Sequence, residues 1–135
     1  MSLRRPRLVT GALLAMLGLA FMVTTTPALA QSHAAGTWTG TFVTDGPSGS
    51  MKLILKMEGD RWKVETMLDA EGAPPPGEVR EVVVEEESFS FAQIFGEYDV
   101  LFRGTFNGDA IEGTIEAYQG GSMIGSGVFD LKRQP

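Results

Sequence analysis

Side chains able to do chemistry are unevenly supplied in this 135-residue chain, which has one histidine, His33, and no cysteine. A Ser-His-acid relay needs an imidazole held on a rigid element. His33 falls in the stretch expected to fray ahead of the folded part, which leaves such a relay without its base. Zinc asks for several His or Cys ligands, so no metal site is expected, and thiolate chemistry and disulfide stapling are both unavailable. Carboxylates are plentiful, and two of them could flank a glycosidic bond or several could hold calcium. Asp45, Asp109 and the Glu97-Tyr98-Asp99 run nevertheless sit beside expected turns, where acids cap, solvate or favour the bend. No calcium-loop spacing appears, and Glu85-Glu86-Glu87 reads as a charged hairpin tip that guards neighbouring strands. The expectation is a non-enzymatic protein without a cofactor.

The two ends of the chain differ in kind. Arg4, Arg5 and Arg7 precede an apolar run over residues 8–23, and Ala28-Leu29-Ala30 follows, the order of a secretory signal peptide cleaved after Ala30. The run is shorter than the roughly 20 residues that span a bilayer comfortably, which argues against a retained anchor. The Arg pair leaves the export route open. Expected boundaries are thus a signal peptide at 1–30, a flexible segment at 31–35 and one domain at 36–133, exported to the periplasm or the medium. Residues 31–135 keep 8 Lys and Arg against 17 Asp and Glu, a formal charge of −9. That balance repels nucleic acid and anionic membranes and favours solubility.

From Gly36 onward the hydrophobic pattern alternates with the two-residue period of strands. Eight segments carry it: 37–44, 50–58, 61–68, 79–86, 88–94, 98–107, 110–118 and 122–133. In the second, Met51, Leu53, Leu55 and Met57 share a face opposite Lys52, Lys56 and Glu58. In the third, Trp62, Val64 and Leu68 oppose Arg61, Lys63, Glu65 and Met67. The fourth is Val-rich with an ambiguous face, and the last groups Met123, Gly125, Gly127, Phe129 and Leu131. Breaks such as Gly59-Asp60, Asn107-Gly108-Asp109 and Gln119-Gly120-Gly121 supply tight hairpin turns. The longest break, 69–77, holds Pro74-Pro75-Pro76 and is expected as an exposed loop. No helical period persists, so the class is all-β, antiparallel and hairpin-linked. An eight-stranded up-and-down barrel buries every apolar face and hides both sheet edges; a β-sandwich is the alternative.

The opening Gly36-Thr37-Trp38-Thr39-Gly40 resembles the Gly-x-Trp start of lipocalin-like, or calycin, barrels. The Leu-x-Leu strand, the Ser-Phe-Ser-Phe strand, Gly104-Thr105-Phe106 with Gly108-Asp109, and Gly113-Thr114 together resemble a small bacterial exported lipocalin-like module of uncharacterised function. That resemblance implies a basic residue of the last strand, here Arg133, packing across Trp38. Independently, a guanidinium over an indole is a cation-π contact of roughly 0.5 to 2 kcal/mol that would join the first and last strands.

Eight strands make a barrel just wide enough to be filled by its own side chains or to hold one small molecule. Trp38, Phe42, Trp62, Phe89, Phe91, Phe102 and Phe106 all fall on expected inward positions, and those seven rings could fill it. Gly40, Gly104, Gly113, Gly125 and Gly127, inside strand patterns, either bend the sheet or leave room within it. The candidate ligand-binding residues are Phe42, Leu53, Leu55, Trp62, Phe89, Phe91, Phe102 and Phe106, with Trp38 and Arg133 closing the barrel. The expected partner is a small hydrophobic ligand or an exported protein. The alternative function is a protease-inhibitor-like barrel acting through Gln31 to Ala35.

Overall fold

The computed structural model describes residues 33–135; the expected signal peptide lies outside the described residues. Beyond the helical residues His33–Ala34, every element among the described residues is a strand: β1 (Gly36–Thr44), β2 (Gly49–Glu58), β3 (Arg61–Asp69), β4 (Pro76–Val84), β5 (Ser88–Phe95), β6 (Tyr98–Asn107), β7 (Ala110–Gln119) and β8 (Ser122–Arg133). They form one sheet in the order β3-β2-β1-β8-β7-β6-β5-β4, with antiparallel pairing throughout. Sequential neighbours pair because the connections are short. Gly120 and Gly121 both take positive φ, 60° and 85°, as a two-residue turn between right-twisted strands requires.

The first and last strands zip together, Trp38 opposite Arg133 and Phe42 opposite Phe129. The result is a nearly closed up-and-down barrel. Charged residues such as Lys52, Lys56, Glu65, Arg103 and Glu112 point outward and are exposed, while the apolar set faces in. This is the reverse of a lipid-facing barrel, whose apolar band lies outside.

Closure is incomplete at one seam. β3 and β4 are the two ends of the sheet order and share no ladder, whereas a fully paired barrel would leave no edges. Several features of β4 account for the gap. Pro76, the last of the three prolines, opens the strand and has no N–H to donate. The β4–β5 register then shifts twice, between Pro76 and Val79 and between Arg80 and Val83, and Glu81 sits at φ 57°. Those shifts rotate successive side chains, which is why the alternation over 79–86 reads as ambiguous. Pro76 and Gly77 belong to the strand rather than to the loop expected at 69–77. A further register shift between Ala117 and Tyr118 alters the start of β8. Met123, expected inward with Phe129 and Leu131, is consequently 53% exposed.

The core is aromatic. Phe91 and Phe102, directly opposite on β5 and β6, stack with centroids 4.8 Å apart and planes 15° from parallel. Gly104 and Gly113 face each other across β6 and β7. A Cβ on Gly104 would strike the ring of Phe89, and one on Gly113 the ring of Phe129 and the carbonyl of Arg103. Each glycine therefore makes room for one of the protein's own rings. Two polar side chains are buried with the apolar set, Thr66 on β3 and Gln93 on β5. Thr66 Oγ1 donates to Gln93 Oε1 at 2.5 Å, and Gln93 Nε2 donates to the Gly77 carbonyl at 3.1 Å. The pair spans the β3–β4 seam from inside, where the missing ladder would otherwise leave the two edges unconnected.

A candidate ligand-binding cup

The two ends of the barrel differ, and the difference follows from which residues each strand places there. At one end lie the start of β1, the end of β8 and the turns at 59–60, 85–87 and 108–109. Here the interior is plugged. Trp38 is fully buried, Phe106 packs on it at 5.8 Å, and Phe89 packs on Phe106 at 5.4 Å. The Arg133 guanidinium lies 4.2 Å from the Trp38 ring centroid. Its Nη1 donates to the Ala35 carbonyl at 2.7 Å, its Nη2 to the His33 carbonyl, and its Nε to Asp109 Oδ1 at 3.2 Å. Trp38 Nε1 donates to the Ala34 carbonyl at 3.3 Å, and Ala34 itself is buried. His33 to Ala35, expected as a free lead-in, are thereby held against the plugged end.

At the other end the interior is hollow. A cavity of about 360 Å3 opens between the β1–β2 loop, the β3–β4 loop and the β5–β6 and β7–β8 turns. Phe42 and Phe102 are buried in its lining, and its walls are Leu68, Phe95, Val100, Ile115 and Ala117, with Tyr98 and Ile124. The taper of β7 and β8 explains the hollow. Near the mouth the inward positions are small, Ala117 on β7 opposite Gly125 on β8, where the plugged half holds Ile111, Phe129 and Leu131; Gly127, between Gly125 and Phe129, lets the β1 backbone at Val43 and Thr44 approach closely. Bulk is thus concentrated at the plugged end and withdrawn at the open one.

The mouth is framed by an ordered loop. Thr44 Oγ1 donates to the Pro47 carbonyl at 2.5 Å and accepts from Gly46 N at 3.1 Å, while Thr44 N donates to Ser48 Oγ at 3.2 Å. Asp45 is then clipped to β8: its backbone N donates to the Ser126 carbonyl and its Oδ2 accepts from Ser126 N, both at 3.2 Å. Asp45 is the one ionisable carboxylate in the lining, beside the weakly polar Thr44, Tyr98 and Ser126. A single acid among apolar walls suits binding rather than paired-acid chemistry, which needs two carboxyls about 5 to 9.5 Å apart.

The expected binding residues separate accordingly. Phe42 and Phe102 line the cup; Leu53, Leu55, Phe89, Phe91 and Phe106 lie in the packed core outside it, and Trp62 packs half-buried against that core. Trp62 Nε1 is buried without a hydrogen-bond partner among the described residues. The walls Leu68, Phe95, Val100, Ile115 and Ala117 were not among the expected site residues. Phe95 continues the Phe89, Phe91 alternation one step beyond the expected strand end, so its signal was present in the sequence.

A larger depression of about 730 Å3 lies over the Gly104–Gly113 pair on the outer wall, among Ser88, Ser90, Arg103, Thr105, Glu112, Thr114 and Asp130. It is broad and open with charged side chains around it, and Arg103 is engaged by Glu116 at 3.2 Å. Enclosure and apolar lining make the cup the stronger candidate. No protein-family model matches the chain, and neither curated proteins nor solved structures give a match to it.

Proposed function

We propose that this chain is an exported, non-enzymatic binding module of lipocalin-like type that holds a small apolar molecule in the open end of its barrel. The observation that carries the reading is the hollow half of the interior, about 360 Å3 lined by Phe42, Leu68, Phe95, Val100, Phe102 and Ile115. That volume falls at the lower end of the range of small-molecule pockets, roughly 300 to 1,000 Å3. Export is supported by the charged, apolar and Ala-x-Ala order of residues 1–30. The Gly-x-Trp opening with Arg133 stacked on Trp38 supports the lipocalin-like assignment.

The inhibitor alternative relies on Gln31 to Ala35 reaching into a protease cleft. Burial of Ala34 and the Arg133 hydrogen bonds to His33 and Ala35 hold His33 to Ala35, the described part of that segment, against the barrel, and so favour the cup.

The test is titration with a neutral solvatochromic dye such as N-phenyl-1-naphthylamine, on the parent and on Ala117→Trp, whose indole would occupy the cup. Saturable one-to-one binding by the parent, lost in Ala117→Trp at unchanged cooperativity of unfolding, is the expected outcome. No saturable binding by the parent, or equal binding by both proteins, would overturn the assignment.

A further inference from the structure

The charges around the cup are sorted by the fold. Four segments frame its opening, residues 44–50, 69–77, 96–97 and 117–124, and each adjoins or contributes to the cavity lining. Together they carry Asp45, Asp69, Glu71 and Glu97 and not one Lys or Arg. Basic side chains stand on the strands rather than in these four segments. Arg80 meets Asp99, next to Tyr98 on β6, at 2.5 Å and Arg103 meets Glu116 at 3.2 Å on the outer wall, Lys56 and Lys63 each lie 3.7 Å from a glutamate on β2 and β3, and Lys52, Arg61 and Lys132 stand exposed on β2, β3 and β8. Arg133 is committed to the plugged end, the full length of the barrel away from the mouth.

An apolar cavity with a rim of one sign selects ligands twice over. Burial of the apolar body supplies attraction without regard to charge. The rim then sorts heads by sign, and low-dielectric walls concentrate its field at the opening. Phe95 and Tyr98 add aromatic rings near the mouth, whose faces attract cations and repel anions. Asp45 is the rim acid best placed to act, since it lines the cavity and is fixed by Ser126 rather than swinging in solvent.

Resting on the binding role proposed above, we infer that the ligand class is a cationic amphiphile: an apolar chain or ring system seated in the cup, with an amine or quaternary ammonium head at the acidic rim. Carboxylate-headed lipids are selected against.

Three decyl compounds that differ only in the head separate the cup from its charge: decyltrimethylammonium, decanol and decanoate, each titrated calorimetrically below its micelle concentration. At low ionic strength the cation binds about tenfold more tightly than decanoate, as expected for a few solvent-exposed charge pairs acting together. Added salt narrows that gap, because exposed charges are screened. The variant Asp45→Asn/Asp69→Asn/Glu71→Gln/Glu97→Gln, which keeps the hydrogen-bonding shape of each side chain, loses the preference while its affinity for decanol stays within about twofold of the parent. Decanoate binding as tightly as the cation, or a preference that survives in the quadruple variant, overturns the cationic assignment and leaves the cup standing. Failure of all three compounds to bind overturns the cup and the cationic assignment together.

Discussion

Replacing Arg133 by Lys keeps the charge and most of the stem but removes the planar fork, and the structure indicates how much that fork contributes. Its guanidinium stacks 4.2 Å from the Trp38 centroid and donates to the carbonyls of Ala35 and His33. Its side chain is 24% exposed, so these contacts are partly shielded from water. The two charge-assisted hydrogen bonds and the cation-π contact each contribute on the order of 1 kcal/mol. The third partner, Asp109, is 84% exposed and adds little. Lysine can retain one carbonyl bond and part of the ring contact, so Arg133→Lys should destabilise by about 2 kcal/mol, which lowers the melting temperature by roughly 8 to 16 °C for a domain of this size. Urea unfolding followed by circular dichroism and by tryptophan fluorescence measures the loss, and Asp109→Asn serves as the near-neutral control. Arg133→Lys within about 0.5 kcal/mol of the parent would refute the view that a stacked, forked guanidinium ties the first and last strands together. Trp38→Ala, which removes the stacked ring and a core side chain together, should cost more, about 3 to 5 kcal/mol.

Gly104→Ala should destabilise by about 1 to 3 kcal/mol, because the new methyl enters the space held by the Phe89 ring. Adding Phe89→Leu should recover part of that loss, and strictly additive effects in the double variant would count against the ring-in-glycine packing. Phe91→Ala should cost about 3 to 5 kcal/mol by opening a void beside Phe102, read from the denaturation midpoint at an unchanged slope. Gln93→Leu should cost about 1 to 3 kcal/mol by stranding the buried Thr66 hydroxyl and the Gly77 carbonyl, with faster amide exchange in β3 and β4 than in β6 and β7.

Much of the barrel is legible in the chain, and the reason is the period of two. Every strand with a steady alternation begins and ends within a residue or two of where the pattern does, because one buried face forces one register. Legibility fails where the alternation is broken by backbone rather than by composition. Successive register shifts and the positive φ of Glu81 turn β4 out of phase with itself, and the shift at Ala117 does the same to Met123. For the site, alternation says which residues face inward but not how far along the axis they sit. Leu53, Leu55, Phe89 and Phe91 were expected inward and are inward, yet they stand in the packed core while Phe42 and Phe102 reach the cup. Depth depends on the stagger between strands, which no single strand encodes. The taper from Ile111 to Ala117 was visible, but its meaning requires knowing that Ala117 lies opposite Gly125.

The unpaired seam and the buried Thr66–Gln93 pair bear on each other. An interior glutamine is expensive unless its amide is satisfied on both sides, and here its oxygen accepts from β3 while its nitrogen donates to β4. No other arrangement among the described residues joins those two strands by a hydrogen bond from within the barrel. Gln93 follows Phe89 and Phe91 and precedes Phe95 on the inward face of β5, a position where a larger apolar residue would fill space but leave the seam unlinked. The comparison that isolates this role is Gln93→Leu against Thr66→Val/Gln93→Leu. The second substitution removes the orphaned hydroxyl, so if satisfying polar groups were the whole purpose of the pair, the double variant should recover most of the stability. If the pair also holds β3 to β4, amide exchange in those strands stays fast in the double variant even where global stability returns. Slow exchange in β3 and β4 of the double variant would mean that apolar packing alone keeps the seam shut.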